Sequence, residues 1–299
     1  IRKFFCNQFN VALDMRVLGE QVRTTTLRLA DGLATWVPRI TAPSGVIRIQ
    51  ATAGSGKTQL ALKLLEDASA KTFKSLYVCY NRSLADHIGH IAPARAKVAS
   101  FHELCVEYFR QTLGEPDFAA PNNYDRLSQH YCEAIEANAH LQQRYQLIVL
   151  DEGQDFQPEW VAALLPQLTD DGKIYLLEDD AQRLYKRKEF DLTDVVTVTC
   201  QDNFRTPGAI CHVINALGLT EQPVVSRSFY RGESPNFYIY TNDKELLCQT
   251  EVAVGHLLKR GIALKDIAII SWRGLAGSVL IKTPLLGEFT LRRPTGKYS

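Results

Sequence analysis

The sequence predicts an α/β protein, a mostly parallel sheet with helices on both faces. Three observations predict it. From residue 46 onward, apolar runs of strand length alternate with segments of helical period, the pattern of a sheet whose crossovers are helices. The apolar stretch Val46–Gln50 leads into Ala51-Thr52-Ala53-Gly54-Ser55-Gly56-Lys57-Thr58 and then into a helical pattern. A second apolar run, Leu147–Leu150, ends in the adjacent carboxylates Asp151 and Glu152.

Taken in order, the expected strands are Val46–Gln50, Ser75–Tyr80, Lys97–Ser100, Leu147–Asp151, Lys173–Leu177 and Val195–Thr199. The expected helices are Lys57–Ala68, Ser83–His90, Phe101–Thr112, Pro158–Leu168 and Pro207–Leu217. Pro158 suits a first helical turn, and Asp170-Asp171-Gly172 reads as a turn before a strand. Residues 114–146 interrupt the alternation with a polar, mainly helical insert. After a loop near Glu221–Glu233 a second unit is expected, with strands Phe237–Tyr240 and Asp266–Ser271 flanking a helix over Lys244–Lys259. Residues 1–45 carry one weak pattern, an amphipathic helix near Leu18–Leu33. The expected division is therefore 1–45, 46–200 and 201–299.

Composition narrows the class. The chain has 299 residues, enough for two cores. Hydrophobic residues make up 45% and charged residues 22%, as in ordinary globular proteins. Thirty-four Lys and Arg against 33 Asp and Glu give no global attraction for nucleic acid, so any such site must be a local groove. Seven cysteines (Cys6, Cys79, Cys105, Cys132, Cys200, Cys211, Cys248) are scattered without C-x-x-C spacing, which fits a reduced cytoplasm and no zinc site. No apolar run is long enough to span a bilayer. Arg2, Lys3 and the short Phe4-Phe5-Cys6 do not make a signal peptide, and Ile1 in place of Met points to a start inside a longer product.

The segment 51–58 has the chemistry of a phosphate-binding loop. Glycines at 54 and 56 let successive N–H groups, with those of Ala53 and Ser55, converge on one anion. Lys57 can reach the β- and γ-phosphates, and Thr58 offers a hydroxyl to Mg²⁺. The following helix adds its positive end. Ala51 stands where the usual pattern has a first glycine. The flanking strand and helix make a chance surface turn a poor alternative, so ATP with Mg²⁺ is the expected ligand. Asp151 can then support the metal, and Glu152 can orient and deprotonate an attacking water. Without the loop, the same pair would read as a solvated acidic turn. Gln182 follows the strand at 173–177, at the end of the sheet where ligands of open α/β folds bind. Arg205, in Asn203-Phe204-Arg205, is placed to stabilise transition-state charge, although it also suits an exposed cation at a helix start.

In this order the motifs resemble those of the UvrD/Rep-like superfamily 1 DNA helicases over about residues 46–275. Ala51–Thr58 resembles the first motif of that family, and Asp151-Glu152-Gly153-Gln154-Asp155 its D-E-x-Q-D motif. Gln182 with Tyr185 resembles the third motif, and Asn203-Phe204-Arg205 the fourth. Cys79-Tyr80-Asn81-Arg82 and Ser100-Phe101-His102 are similar to its T-F-T-N and T-F-H segments. The resemblance implies a P-loop NTPase with a RecA-like sheet, and the start of a second RecA-like domain. It implies ATP hydrolysis with Glu152 as base, Gln182 and Arg205 sensing the γ-phosphate, and Phe204 stacking on adenine. It also implies single-stranded DNA, more than RNA, along Tyr80, Asn81, Ser100, Phe101, His102, Tyr185 and Arg187. Aromatic faces stack on any base, but Tyr80 and Phe101 equally suit core packing.

The departures are specific. Arg187 stands where the family has Trp, and Glu178 where it has Gly before the third-motif aspartate. A guanidinium can stack on a base and pair with phosphate. No adenine-reading Gln lies at the right distance upstream, since Gln21 is misplaced. The insert is short, and the late motifs would follow Ser299. The expectation is thus a helicase or translocase motor, with a nucleotide-gated binding or remodelling ATPase that does not unwind duplexes as the alternative.

Overall fold

The computed structural model describes residues 32–119, 121–137, 144–179, 181, 194–271, 273–283 and 285–292. The helix expected near Leu18–Leu33 lies almost wholly outside them. Two compact units divide between Ser234 and Pro235.

The first unit is built on six parallel strands: β1 (Val46–Ala51), β2 (Ser75–Cys79), β3 (Ala96–Ser100), β4 (Tyr145–Asp151), β5 (Leu168–Glu178) and β6 (Val196–Cys200). Their order is β3-β2-β4-β5-β1-β6. The strand bearing Asp151 is thus not beside the strand that enters the 51–58 loop; β5 lies between them. Registers such as Gln50↔Glu178, Cys79↔Asp151 and Ala51↔Cys200 bring the carboxyl ends of these strands to one edge. All six expected strands form.

The helices are α1 (Lys57–Ala70), α2 (Arg82–Ile91), α3 (Phe101–Thr112), α4 (Asn123–Ala137) and α5 (Pro158–Leu164). Strand residues alternate between two cores. Ile47, Ile49, Tyr77, Val149, Tyr175 and Leu177 share one with Leu60, Leu64 and Leu65 of α1 and Ile88 of α2. Leu76, Val78, Ile148, Leu150, Ile174 and Leu176 share the other with α3, α4 and α5 through Phe101, Tyr131 and Trp160. Apolar residues on both strand faces are what a sheet covered on both sides requires. Asn81 starts α2 by accepting from Ser83 N and Leu84 N, and Ser100 with Glu103 forms a capping box at the start of α3.

Two expectations change. Asp170-Asp171-Gly172 is not a free turn: β5 begins at Leu168, and pairing jumps from Tyr145↔Leu168 to Leu147↔Lys173. The surplus residues bulge out within the strand. Among its described residues the second unit has one long helix, three short helical turns (Leu264–Asp266, Gly274–Gly277 and Val279–Lys282) and a short antiparallel ladder. Its long helix is Asp243–Lys259, N-capped by Asn242, and the ladder pairs Leu285–Leu286 with Phe289–Thr290. Phe237–Tyr240 and Asp266–Ser271 are not strands. A strand needs a neighbour to hydrogen-bond, and the described residues supply none; Phe237 is 71% and Ile239 88% exposed. Residues 202–226 belong to the first unit instead. There Asp202–Asn203 pairs with Val225–Ser226, and α6 (Gly208–Ala216) follows.

Candidate functional site

The loop between β1 and α1 has the backbone its glycines predict. Gly54 has φ +72° and Gly56 φ +100°, conformations open to glycine at no steric cost. Gly56 is the N-cap of α1, so the loop ends on that helix's positive pole. Ala53 and Thr58 are half-buried. Ser55 is fully buried, and its Oγ has no hydrogen-bond partner among the described residues. Lys57 Nζ folds over the loop and donates to Ala51 O (2.6 Å), Thr52 O (3.2 Å) and Asp179 Oδ2 (3.4 Å).

Asn203-Phe204-Arg205 lies directly against this loop. Phe204 N donates to Gly54 O (3.0 Å), and Thr52 N donates to Cys200 O (3.0 Å). Asn203 is 2% exposed and shapes the turn: its Oδ1 accepts from Arg205 N (3.0 Å) and Thr206 N (2.7 Å), while its Nδ2 donates to Thr206 Oγ1. A Cβ on Gly54 would sit 2.7 Å from Asn203 Oδ1 and 2.8 Å from Arg205 Cβ. Two segments far apart in sequence therefore close on each other, with the exposed Arg205 beside the loop and Phe204 half-buried.

The acidic side is a connected set. Asp151 is 3% exposed; its Oδ2 accepts from Tyr77 Oη (2.6 Å) and its Oδ1 from Glu152 N (3.0 Å). Burial pushes the Asp151 carboxyl up to about 6, against the Tyr77 hydrogen bond, and the neighbouring Glu152 charge adds to the rise. Glu152 is half-buried at φ +55°, a left-handed conformation. Gln154 Nε2 donates to Glu152 Oε2 (2.6 Å), and Gln154 Oε1 accepts from Asp179 N (3.0 Å). Burial raises the Asp179 carboxyl, against the pull of Lys57.

Tyr77, Gln154 and Asp179 were not among the expected site residues. Gln154 and Asp179 had a signal in the D-E-x-Q-D spelling and in the acids that end β5. Tyr77 had none, because it sits inside an apolar strand. The unexpected Glu178 is buried on the other face and pairs with Arg48 (Nε–Oε2 3.5 Å), which gives its charge a partner.

Of the expected strand-path residues, Phe101 needs correction. It is 0% exposed and stacked on Trp160 at 4.6 Å, so no base can reach its face. Ser100 is 2% exposed and serves as the N-cap of α3. The exposed Asn81 caps α2. Tyr80 and His102 are half-buried and meet edge to face at 5.5 Å. Gln182, Tyr185 and Arg187 lie outside the described residues.

A family model described as an AAA domain matches residues 37–188, more than half of the chain. The chain belongs to the AAA domain family. In this AAA domain the matched stretch covers the phosphate loop, the Asp151–Glu152 pair and β5, and it supports a nucleotide-dependent ATPase. The six-stranded parallel sheet with helices on both faces is the RecA-like P-loop NTPase fold. No curated protein matches the chain. A solved structure titled as that of a DNA replication initiation factor is 14% identical, with a TM-score of 0.25. The match covers 86% of this chain and 55% of that one, so the chain spans little more than half its length. A likeness at that score bears on neither fold nor function.

The donor set of this AAA domain fits a Mg-nucleotide. Thr58 and Asp151 are hard oxygen donors. Among the described residues no three His, Cys, Asp or Glu side chains could hold a metal by themselves, so phosphate oxygens would complete the shell. No described helix is long and apolar enough to cross a membrane.

Proposed function

We propose that this AAA domain is the first motor domain of a UvrD/Rep-like superfamily 1 translocase or helicase that hydrolyses ATP on single-stranded DNA, with the chain beyond Ser234 leading into a second RecA-like domain. One observation carries the reading: Asn203-Phe204-Arg205 is held against the phosphate loop, with Phe204 N donating to Gly54 O and Asn203 and Arg205 packed on Gly54. An arginine held beside a phosphate loop can stabilise charge on the transferred phosphoryl group.

In this reading, Ala53, Gly54, Ser55 and Gly56 supply N–H groups to the phosphates, and Lys57 pairs with the γ-phosphate. Thr58 and Asp151 hold Mg²⁺, which polarises the phosphate oxygens when bound. Glu152 accepts a proton from the attacking water, and Gln182 and Arg205 contact the γ-phosphate. Phe204 stacks on the adenine. The strand would run along Tyr80, Asn81 and His102, and the resemblance adds Tyr185 and Arg187 to its contacts.

Burial of Phe101 and Ser100 removes two strand contacts from this surface. A second reading, favoured by Arg187 in place of the family's Trp and by the short 114–146 insert, is a remodelling ATPase that grips the strand without separating duplexes. Steady-state ATP hydrolysis with and without single-stranded DNA, beside Glu152→Gln, tests the proposal. Strand-stimulated turnover that vanishes in Glu152→Gln supports it. Turnover indifferent to every strand sinks the motor reading, and unwinding of a tailed duplex separates helicase from remodeller.

A further inference from the structure

The end of β5 holds both working parts of the site at once. Asp179 is 2% exposed, and its Oδ2 takes one of the three donors of the Lys57 ammonium. The other Lys57 contacts are carbonyls of the loop itself, Ala51 O and Thr52 O. The Asp179 backbone N–H is bonded to Gln154, a side chain 6% exposed whose other end holds the Glu152 carboxylate at 2.6 Å. A continuous path thus runs from Lys57 through Asp179 and Gln154 to Glu152.

We propose that Asp179 and Gln154 form a nucleotide-sensing latch, a reading that rests on the ATPase assignment above. Asp179 competes with phosphate for Lys57, and Gln154 is the positioning residue that sets Glu152 according to which of them wins. A phosphate in the loop must draw the ammonium away from its present partners, because all of them compete for the same donors. Asp179 is then left in a desolvated place without its cation, a costly state. The residue shifts to recover hydrogen bonds. Its N–H is one end of the Gln154 bridge, so the shift is felt at the Glu152 carboxylate. The Gln154 amide donates to Glu152 Oε2 at 2.6 Å, so the rotamer of the carboxylate follows the amide. The latch keeps the base turned in while the loop is without nucleotide and aligns it once phosphate has taken Lys57.

The test combines binding and turnover. Titration with a fluorescent ADP analogue and Mg²⁺ is expected to show Asp179→Asn binding about fivefold tighter or more, the range of ordinary coupling energies. In the Lys57→Ala background the same substitution gains nothing. Gln154→Met keeps the shape of the side chain and loses both hydrogen bonds. It is expected to stay folded with a somewhat lowered unfolding midpoint, since the Asp179 N–H loses its acceptor, and to bind the analogue as wild type does, while single-turnover hydrolysis falls about tenfold or more.

Equal or weaker binding by Asp179→Asn overturns the latch, as does a Gln154→Met variant that loses binding and turnover together. Wild type that binds nucleotide without hydrolysing it defeats the ATPase reading, yet leaves the Asp179 comparison legible. If wild type fails to bind and Asp179→Asn binds, the latch is supported in its strongest form. If neither binds, both readings fall.

Discussion

Asp151 shows what burial does to a single carboxylate. In the unfolded chain it titrates near its ordinary 3.8, and in the fold near 6. The native state therefore binds a proton more tightly between those values. The stability it contributes is complete below pH 3.8 and is lost as pH rises through about 6. The difference corresponds to about 3 kcal/mol. Asp151→Asn is expected to raise stability at pH 8 in EDTA and to gain little at pH 4, as read by urea unfolding at both pH values. The same substitution removes an oxygen charge from the metal side, so turnover is expected to collapse. Ser100 behaves differently. Its hydroxyl accepts from Glu103 N, and Ser100→Ala is expected to cost about 1 kcal/mol in the same unfolding assay. Strand affinity unchanged in that variant would agree with a purely capping role.

The informative element is the phosphate loop, because two segments constrain it. Gly54→Ala meets a left-handed φ and two contacts under 3.0 Å, with Asn203 Oδ1 and Arg205 Cβ. It is expected to weaken nucleotide binding at least tenfold, a large effect for one methyl group but a usual one where strain and clash coincide. Titration with the fluorescent ADP analogue reads it, and near-wild-type affinity would mean that the 203–205 turn moves aside easily. The strands were legible from their apolar runs, and the caps of α2 and α3 are spelled by Asn81 and by Ser100 with Glu103. The bulge at Asp170–Gly172 was not legible, since polar residues and a glycine spell a turn whether or not a neighbouring strand pairs across them. Phe101 misled for a related reason. An aromatic at a helix start has the same spelling whether it faces solvent or, as here, Trp160.

At the scale of the molecule, the division between Ser234 and Pro235 places Asn203, Phe204 and Arg205 with the loop they touch. Truncation after Ser234 is therefore expected to leave a folded fragment that binds nucleotide with nearly the affinity of the whole chain. Circular dichroism and analogue titration check this, and an unfolded fragment would show that residues 235–299 hold the first unit together. The expected boundary at 200/201 followed the end of the last strand in sequence. Contacts place it later, because Asn203 and Ser226 are bonded back into the first unit.

The sequence by itself determined the alternating elements, the phosphate loop and the acid pair, because each depends on neighbours within a few residues: strand period, glycine backbone, adjacent carboxylates. Only the tertiary structure decided that β5 separates β1 from β4, that Asp179 lies at Lys57, that Gln154 reaches Asp179, and that Tyr77 sits under Asp151. Those pairings join residues 25 to 122 positions apart. Strand order is set by which faces bury the most apolar surface together, a property of the whole sheet that no single segment carries.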